Sequence, residues 1–260
     1  MKLTIVGCSG SFAGPESPAS SYLVQAEHEG RTWNLVLDLG NGALGSLQRF
    51  IDPLDVDAIV LSHLHPDHCA DLSGLHVVLR YHPVKPQSVT VPVWGPPGTA
   101  RRIARAAGVT DDEANDPSQL EPEFDFRELA DEASFTVGPF TITAYRVNHP
   151  VEAFGLRVEA AGKVLAYTGD TDSTPALTPL LTGADLALAD SAFCDERDDA
   201  EGIHLSGRRA ADAAVAAGGV QRLMLTHIPA WNDRDVCRKQ AAEVWPGDVE
   251  LAEPFASYDV

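Results

Sequence analysis

Ala58-Ile59-Val60-Leu61-Ser62-His63-Leu64-His65-Pro66-Asp67-His68 is the stretch that decides the fold of this chain. Its first part, Ala58 to Leu61, is a wholly apolar run of strand character that leads straight into His63. His63 and His65 alternate, so in extended chain both side chains leave on one side and can grip one metal together. Pro66 prevents the strand from simply continuing. The turn it imposes can aim Asp67 and His68 at a second position. Imidazole and carboxylate suit zinc, manganese or iron rather than calcium. A lone H-x-H is weak evidence, because histidine often sits in loops for no special reason. H-x-H-x-D-H directly after a buried strand is a strong signal.

Outward from this motif, the same arrangement recurs. His149 and His227 each follow a strand-like run, and Asp170 follows the apolar stretch Val164 to Thr168. Loops at strand ends are where sites on layered α/β proteins collect. Apolar runs predict strands at Leu3–Val6, Tyr22–Ala26, Trp33–Asp38, Ala58–Leu61, Val89–Trp94 and Leu186–Asp190, with Arg222–Thr226 as the final buried strand. Hairpins are expected around Gly138-Pro139 and Ala160-Ala161-Gly162. Helices are expected at Leu44–Phe50, Leu72–Arg80, Thr99–Ala107 and Ser206–Ala217. Residues 110–134 are acidic and weakly patterned, and read as solvated loop with a little helix. The loop Gly7-Cys8-Ser9-Gly10-Ser11 lacks the spacing of a phosphate-binding turn. Two halves of strands followed by helix suggest two sheets with helices outside, and a site at the strand ends between them.

The bulk composition narrows the classes. A chain of 260 residues with 44% apolar content suits one compact α/β domain, taken as residues 1–260. No apolar run approaches the roughly 20 residues of a membrane helix. The apolar start is too short for a signal peptide. Four scattered cysteines without a C-x-x-C pair read as reduced thiols of a cytoplasmic protein. The formal net charge of −19 argues against extended nucleic acid or an anionic membrane as partner. A small anionic substrate stays open, because bound metal reverses the local field.

The motif and its followers resemble the metallo-β-lactamase superfamily, and the resemblance spans nearly the whole chain. It implies an α/β fold, a four-layer αββα sandwich. By position it assigns His63, His65 and His149 to a first metal. It assigns Asp67, His68 and His227 to a second, with Asp170 and a hydroxide shared between the two. The cofactor implied is a pair of divalent ions, zinc first, with manganese or iron as alternatives. His204, in Gly202-Ile203-His204-Leu205-Ser206, matches the extra histidine of the phosphodiesterase branch, which lies near the leaving group. With Asp67 it makes up the expected catalytic residues.

Within the superfamily, four stretches look like the bacterial cyclic-nucleotide phosphodiesterases and also resemble ribonuclease Z. They are Val6-Gly7-Cys8-Ser9-Gly10-Ser11, Pro15 to Ser20, His149-Pro150 through Phe154-Gly155-Leu156-Arg157, and Leu225-Thr226-His227-Ile228-Pro229. The ribonuclease inserts a tRNA-gripping arm where this chain has only Ala160-Ala161-Gly162. The family's proline–lysine motif is missing, and the charge is wrong for tRNA.

Charge bookkeeping supports a phosphodiester. Two divalent ions, two carboxylates and a hydroxide sum to about +1, a local attractor in an acidic protein. The expected reaction is hydrolysis of a small cyclic nucleotide, such as 3′,5′-cyclic AMP, by attack of hydroxide on phosphorus, with His204 serving the leaving oxygen. The alternatives are a ribonuclease Z-like enzyme, hydrolysis of another ester, thioester or lactam, and a nucleotide sensor without turnover. A homodimer is compatible with this reading.

Asp38 and Asp190 are candidates to orient ligating histidines. His82 and Ser206 are candidate substrate contacts, although capping of the following helix explains Ser206 better. His28 and His76 read as structural or exposed, and turn chemistry explains Asp172 as well as function does.

Overall fold

The computed structural model describes residues 1–84, 89–108, 120 and 122–260. The acidic residues Asp111, Asp112, Glu113 and Asp116 lie outside them.

Two seven-stranded mixed sheets face each other. The first contains β1 (Lys2–Gly7), β2 (Ser21–His28), β3 (Arg31–Leu37), β4 (Ala58–Val60), β5 (Val91–Gly95) and β6 (Phe124–Glu128). The second contains β7 (Ser134–Val137), β8 (Phe140–Arg146), β9 (Phe154–Ala160), β10 (Lys163–Tyr167), β11 (Leu186–Asp190), β12 (Leu223–Thr226) and β13 (Val249–Leu251). The last strand, β14 (Ser257–Asp259), crosses back and pairs antiparallel with β1, Lys2 opposite Asp259.

Period-two alternation builds the layers. Along β3, Leu35 and Leu37 enter the core between the sheets, while Val36 faces outward; β4 repeats this with Ala58 and Val60 inward and Ile59 outward. In the second sheet Leu186 and Leu188 point inward and Ala187 and Ala189 outward. The outer face of the first sheet is covered by α1 (Ala43–Leu47), α3 (Leu72–Tyr81) and α4 (Thr99–Ala106). That of the second is covered by α5 (Leu177–Leu181), α6 (Gly207–Ala217) and α7 (Arg234–Ala242). The result is the expected αββα sandwich. No helix among the described residues is long and apolar enough to cross a membrane. All four cysteines are buried free thiols.

Three expectations need correction. Within residues 110–134, Phe124-Asp125-Phe126 is not loop. It forms β6, parallel to β5, with Phe124 buried beneath the outer helices. The acidic neighbours dilute a two-residue alternation that only pairing completes. Arg222–Thr226 is not the final strand, since α7, β13 and β14 follow. β13 and β14 are three-residue pieces, too short to show a period, and exist through their partners β12 and β1. The turn after Pro66 is a short helix, α2 (Pro66–Cys69), with the proline in its first turn, where its missing N–H costs nothing.

The topology puts one end of the sandwich in charge of the site. β3 and β4 run parallel, as do β10, β11 and β12. Their C-terminal ends therefore open at the same edge. There Phe154 N donates to Ser62 O at 2.9 Å and ties the second sheet to the first beside the histidine motif.

Candidate metal centre

Every sequence-derived metal ligand arrives at this edge. His63 follows β4, Asp170 follows β10 and His227 follows β12, whereas Asp67 and His68 lie on α2. His149, past the end of β8, closes the group.

The donors form two clusters, His63–His65–His149 and Asp67–His68–Asp170–His227. In the first, His65 Nδ1 lies 3.0 Å from His63 Nε2 and 3.1 Å from His149 Nε2. In the second, His68 Nε2 lies 3.4 Å from Asp67 Oδ2, 3.2 Å from Asp170 Oδ2 and 3.3 Å from His227 Nε2. His227 Nε2 is 3.2 Å from Asp67 Oδ2 and 3.3 Å from Asp170 Oδ2. A tetrahedral ion with ligand bonds of about 2.0–2.1 Å has donor–donor edges of roughly 3.3 Å. The second cluster matches that edge length at every measured pair. Asp170 Oδ2 is also 3.6 Å from His63 Nε2, so one carboxylate oxygen faces both clusters. Asp170 Oδ1 is buried without a hydrogen-bond partner, an orphan of the kind a bound ion explains.

A surrounding layer of acceptors fixes which imidazole nitrogen faces inward. His68 Nδ1 donates to Asp38 Oδ2 at 2.8 Å, and His149 Nδ1 donates to Ile203 O at 2.8 Å. Each bond leaves Nε2 as the donor for a metal. Asp38 also accepts from Ser62 N, Ser62 Oγ and Tyr167 Oη. Asp190 Oδ2 accepts from His204 Nδ1 at 2.9 Å, and its Oδ1 stands 3.5 Å from His227 Nδ1. Both orienting carboxylates were legible as candidates. Tyr167 was not, because a tyrosine within an apolar strand reads as core.

Charge distribution fits the same picture. Burial pulls His63, His65 and His149 below the usual imidazole value, so these three are neutral donors. Burial acts downward on His68 and His227 too, but Asp170 and the carboxylates around it override that. His68 is held well above the ordinary value, and His227 is raised to about 10. Burial raises Asp67 and Asp170, and the imidazoles around them hold both well below the carboxylate range. The second cluster therefore collects positive charge wherever it can, which is what a cation site does.

Three left-handed non-glycine residues lie here. Asp38, His227 and Ser11 have φ of 56°, 56° and 62°, left-handed values that cost a non-glycine residue of order 1–3 kcal/mol. Gly10 permits the close approach of the Ser9–Gly14 loop. A Cβ there would stand 2.2 Å from His227 O.

The remaining candidates separate. His204 is buried at the edge of the centre, its ring centroid 5.4 Å from that of His149 and 5.2 Å from that of His227. It also joins Asp170, Asp190 and His227 in a third donor group. Ser206 caps α6, its Oγ accepting from Arg209 N at 3.2 Å, and is fully buried. That hydroxyl serves the helix, as the capping explanation has it. His82 lies at the exposed C-terminal end of α3, outside all three donor groups. Asp172 pairs with Arg209 at 2.7 Å and accepts from Gly202 N, holding the segment that carries His204.

Two facing sheets with a histidine and aspartate donor set at their common edge define a metal-dependent hydrolase. More particularly, the chain belongs to the β-lactamase superfamily, since the model of the β-lactamase superfamily domain matches residues 34–228. It is 42% identical over 261 residues to an uncharacterized protein, Rv1339, of Mycobacterium tuberculosis, covering 100% of this chain and 92% of that one. It is 28% identical to the probable metallo-hydrolase YhfI of Bacillus subtilis over 97% of both chains. The crystal structure of YhfI superposes with a TM-score of 0.84, covering 99% of this chain and 98% of that one at 27% identity. The human short-form tRNase Z shares the fold, with a TM-score of 0.74 at 24% identity over 100% of this chain and 99% of that one.

Proposed function

We propose that this chain is a cytoplasmic phosphodiesterase that uses two divalent ions, zinc first, to hydrolyse a 3′,5′-cyclic nucleotide to the nucleoside monophosphate. The observation that carries this reading is the pair of donor clusters with Asp170 Oδ2 between them, 3.6 Å from His63 Nε2, and His204 beside them with its Nδ1 held by Asp190. His63, His65 and His149 would hold one ion, and Asp67, His68 and His227 the other, with Asp170 between. Ions held there supply Lewis acidity toward the phosphate oxygens and bring the pKa of water near neutrality.

The chain's own residues do the rest. Asp38 and the Ile203 carbonyl keep the metal-facing nitrogens of His68 and His149 pointed inward, and Asp190 Oδ1 stands 3.5 Å from His227 Nδ1. Burial acts against protonation of His204, but the Asp190 carboxylate prevails and holds its pKa above the ordinary value. The Asp190 carboxylate thus favours the protonated form of the His204 imidazole. With Nδ1 committed to Asp190, Nε2–H is the proton available to the departing ribose oxygen.

Two features favour a small substrate over tRNA. β9 and β10 are joined directly through Ala161 and Gly162, both with left-handed φ, a tight turn where ribonuclease Z carries its arm. The net charge of −19 opposes a polyanion. The deciding experiment gives zinc- or manganese-loaded protein 3′,5′- and 2′,3′-cyclic nucleotides alongside a tRNA precursor. Turnover of the 3′,5′-cyclic nucleotide is expected. Cleavage of the tRNA precursor with the cyclic nucleotides left intact refutes the proposal.

A further inference from the structure

We infer that Phe12 and Trp231 form the platform that binds the nucleobase of the substrate. This inference rests on the phosphodiesterase reading above and names the specificity-determining part of the same site.

The two rings pack on each other with centroids 4.8 Å apart at an interplanar angle of 39°. Both are exposed, Phe12 at 38% and Trp231 at 64%. They sit on separate loops that both come directly off the metal centre. Ser11 N lies 3.3 Å from His227 Nε2, the nitrogen that faces Asp67 and Asp170. Phe12 is the next residue, its Cα about 3.8 Å further along the chain. Trp231 is the fourth residue after His227 itself. The aromatic pair therefore lies on the two loops that flank His227, beside the cluster that would hold the phosphate.

The platform is prebuilt. Ser9 bridges in parallel to Ile228, joining the two loops at their base. Asn232 N donates to Pro229 O at 2.8 Å, closing a turn with Trp231 near its tip. The Asn232 side chain donates to Ala192 O at 2.7 Å and accepts from Arg197 at 2.8 Å. Large aromatics held rigidly in solvent next to a charged centre are what a base needs to stack on, since every base offers a π-face. In a chain of net charge −19, stacking supplies affinity that demands no extra cation.

The test compares adenosine 3′,5′-cyclic phosphate with its base-free counterpart, methyl ribofuranoside 3′,5′-cyclic phosphate, in wild type, Trp231→Ala, Phe12→Ala and Trp231→Phe. The ratio of kcat/KM between the two substrates should fall about tenfold in each alanine variant, within the roughly 5- to 150-fold worth of base stacking. Trp231→Phe should restore most of it. A second arm needs no turnover. Adenosine 5′-monophosphate should quench the tryptophan fluorescence of zinc-loaded protein saturably, ribose 5-phosphate far more weakly, and Trp231→Ala should abolish the signal.

An unchanged kcat/KM ratio in the alanine variants overturns the inference. So does equal binding of the two monophosphates, or a change in oligomeric state with the ratio kept, which would assign the pair to a second copy of the chain. If wild type cleaves no cyclic nucleotide, the phosphodiesterase reading fails by itself, and the quenching arm still decides the platform.

Discussion

Asp190 Oδ2 lies 2.9 Å from Nδ1 of His204, and both groups are buried. The carboxylate links His204 to the second donor cluster, because its other oxygen faces His227. The carboxylate holds the His204 pKa above its ordinary value against the downward pull of burial. If His204 acts as the acid, activity is lost as pH rises through its folded pKa.

Asp190→Asn removes the charge that raises that pKa. The basic limb of the pH–rate profile should therefore move to lower pH, and activity at pH 8 should fall roughly 10–100-fold. A profile unchanged in shape would show that Asp190 acts only through His227.

His65→Ala and His204→Ala should separate ligand from acid. His65 Nδ1 is the donor common to both close contacts of the first cluster. Its loss should remove metal and activity together, read by metal analysis alongside turnover. His204→Ala should keep its metal and lose about 10²–10⁴-fold in rate. Metal loss in His204→Ala would place that residue among the ligands.

The H-x-H-x-D-H motif and the isolated His149, Asp170 and His227 were legible because each follows an apolar strand, and strand ends in this architecture converge at one edge. His63 through His68 alone supply four of the seven donors of the two clusters. Asp170 joins the halves only through the parallel pairing of β10 with β11 and β12, which no local pattern shows. β14 was illegible for the same reason, since three residues carry no period and its partner β1 lies at the other end of the chain. Phe12 and Trp231 gave no signal at all. They are far apart in sequence, and their contact depends on the Ser9–Ile228 bridge.

Acidification should strip the two metal positions in order. In the metal-free state His63, His65 and His149 have depressed pKa values, so protons compete for them only well below the usual imidazole range. His68 and His227 are raised, His227 to about 10, so an ion entering their cluster displaces protons already at neutral pH. Affinity there should drop about tenfold per pH unit for each protonated imidazole displaced. Bound metal per chain, followed from pH 8 to pH 5, should pass through a plateau at one ion. Loss of both ions in a single step would contradict the assignment.

Asp38 offers the sharpest stability test, because its two oxygens serve different elements. Oδ1 accepts from Ser62 N at 2.7 Å. Oδ2 accepts from Ser62 Oγ, His68 Nδ1 and Tyr167 Oη, each at 2.8 Å. Asp38→Asn keeps the shape but replaces one acceptor with a donor. Either orientation of the amide sets a donor against donors in a fully buried site. A loss of roughly 3 kcal/mol is expected in denaturant unfolding, with about 10–100-fold weaker metal binding, because His68 loses its orienting partner. Tyr167→Phe removes only one donor to the carboxylate. It should cost about 1.5–3 kcal/mol, as for a hydrogen bond to a charged group, and leave the His68–Asp38 bond in place. Metal affinity in Tyr167→Phe should therefore fall much less than in Asp38→Asn. Equal losses of affinity in the two variants would mean that the tyrosine, and not the carboxylate alone, sets the orientation of His68.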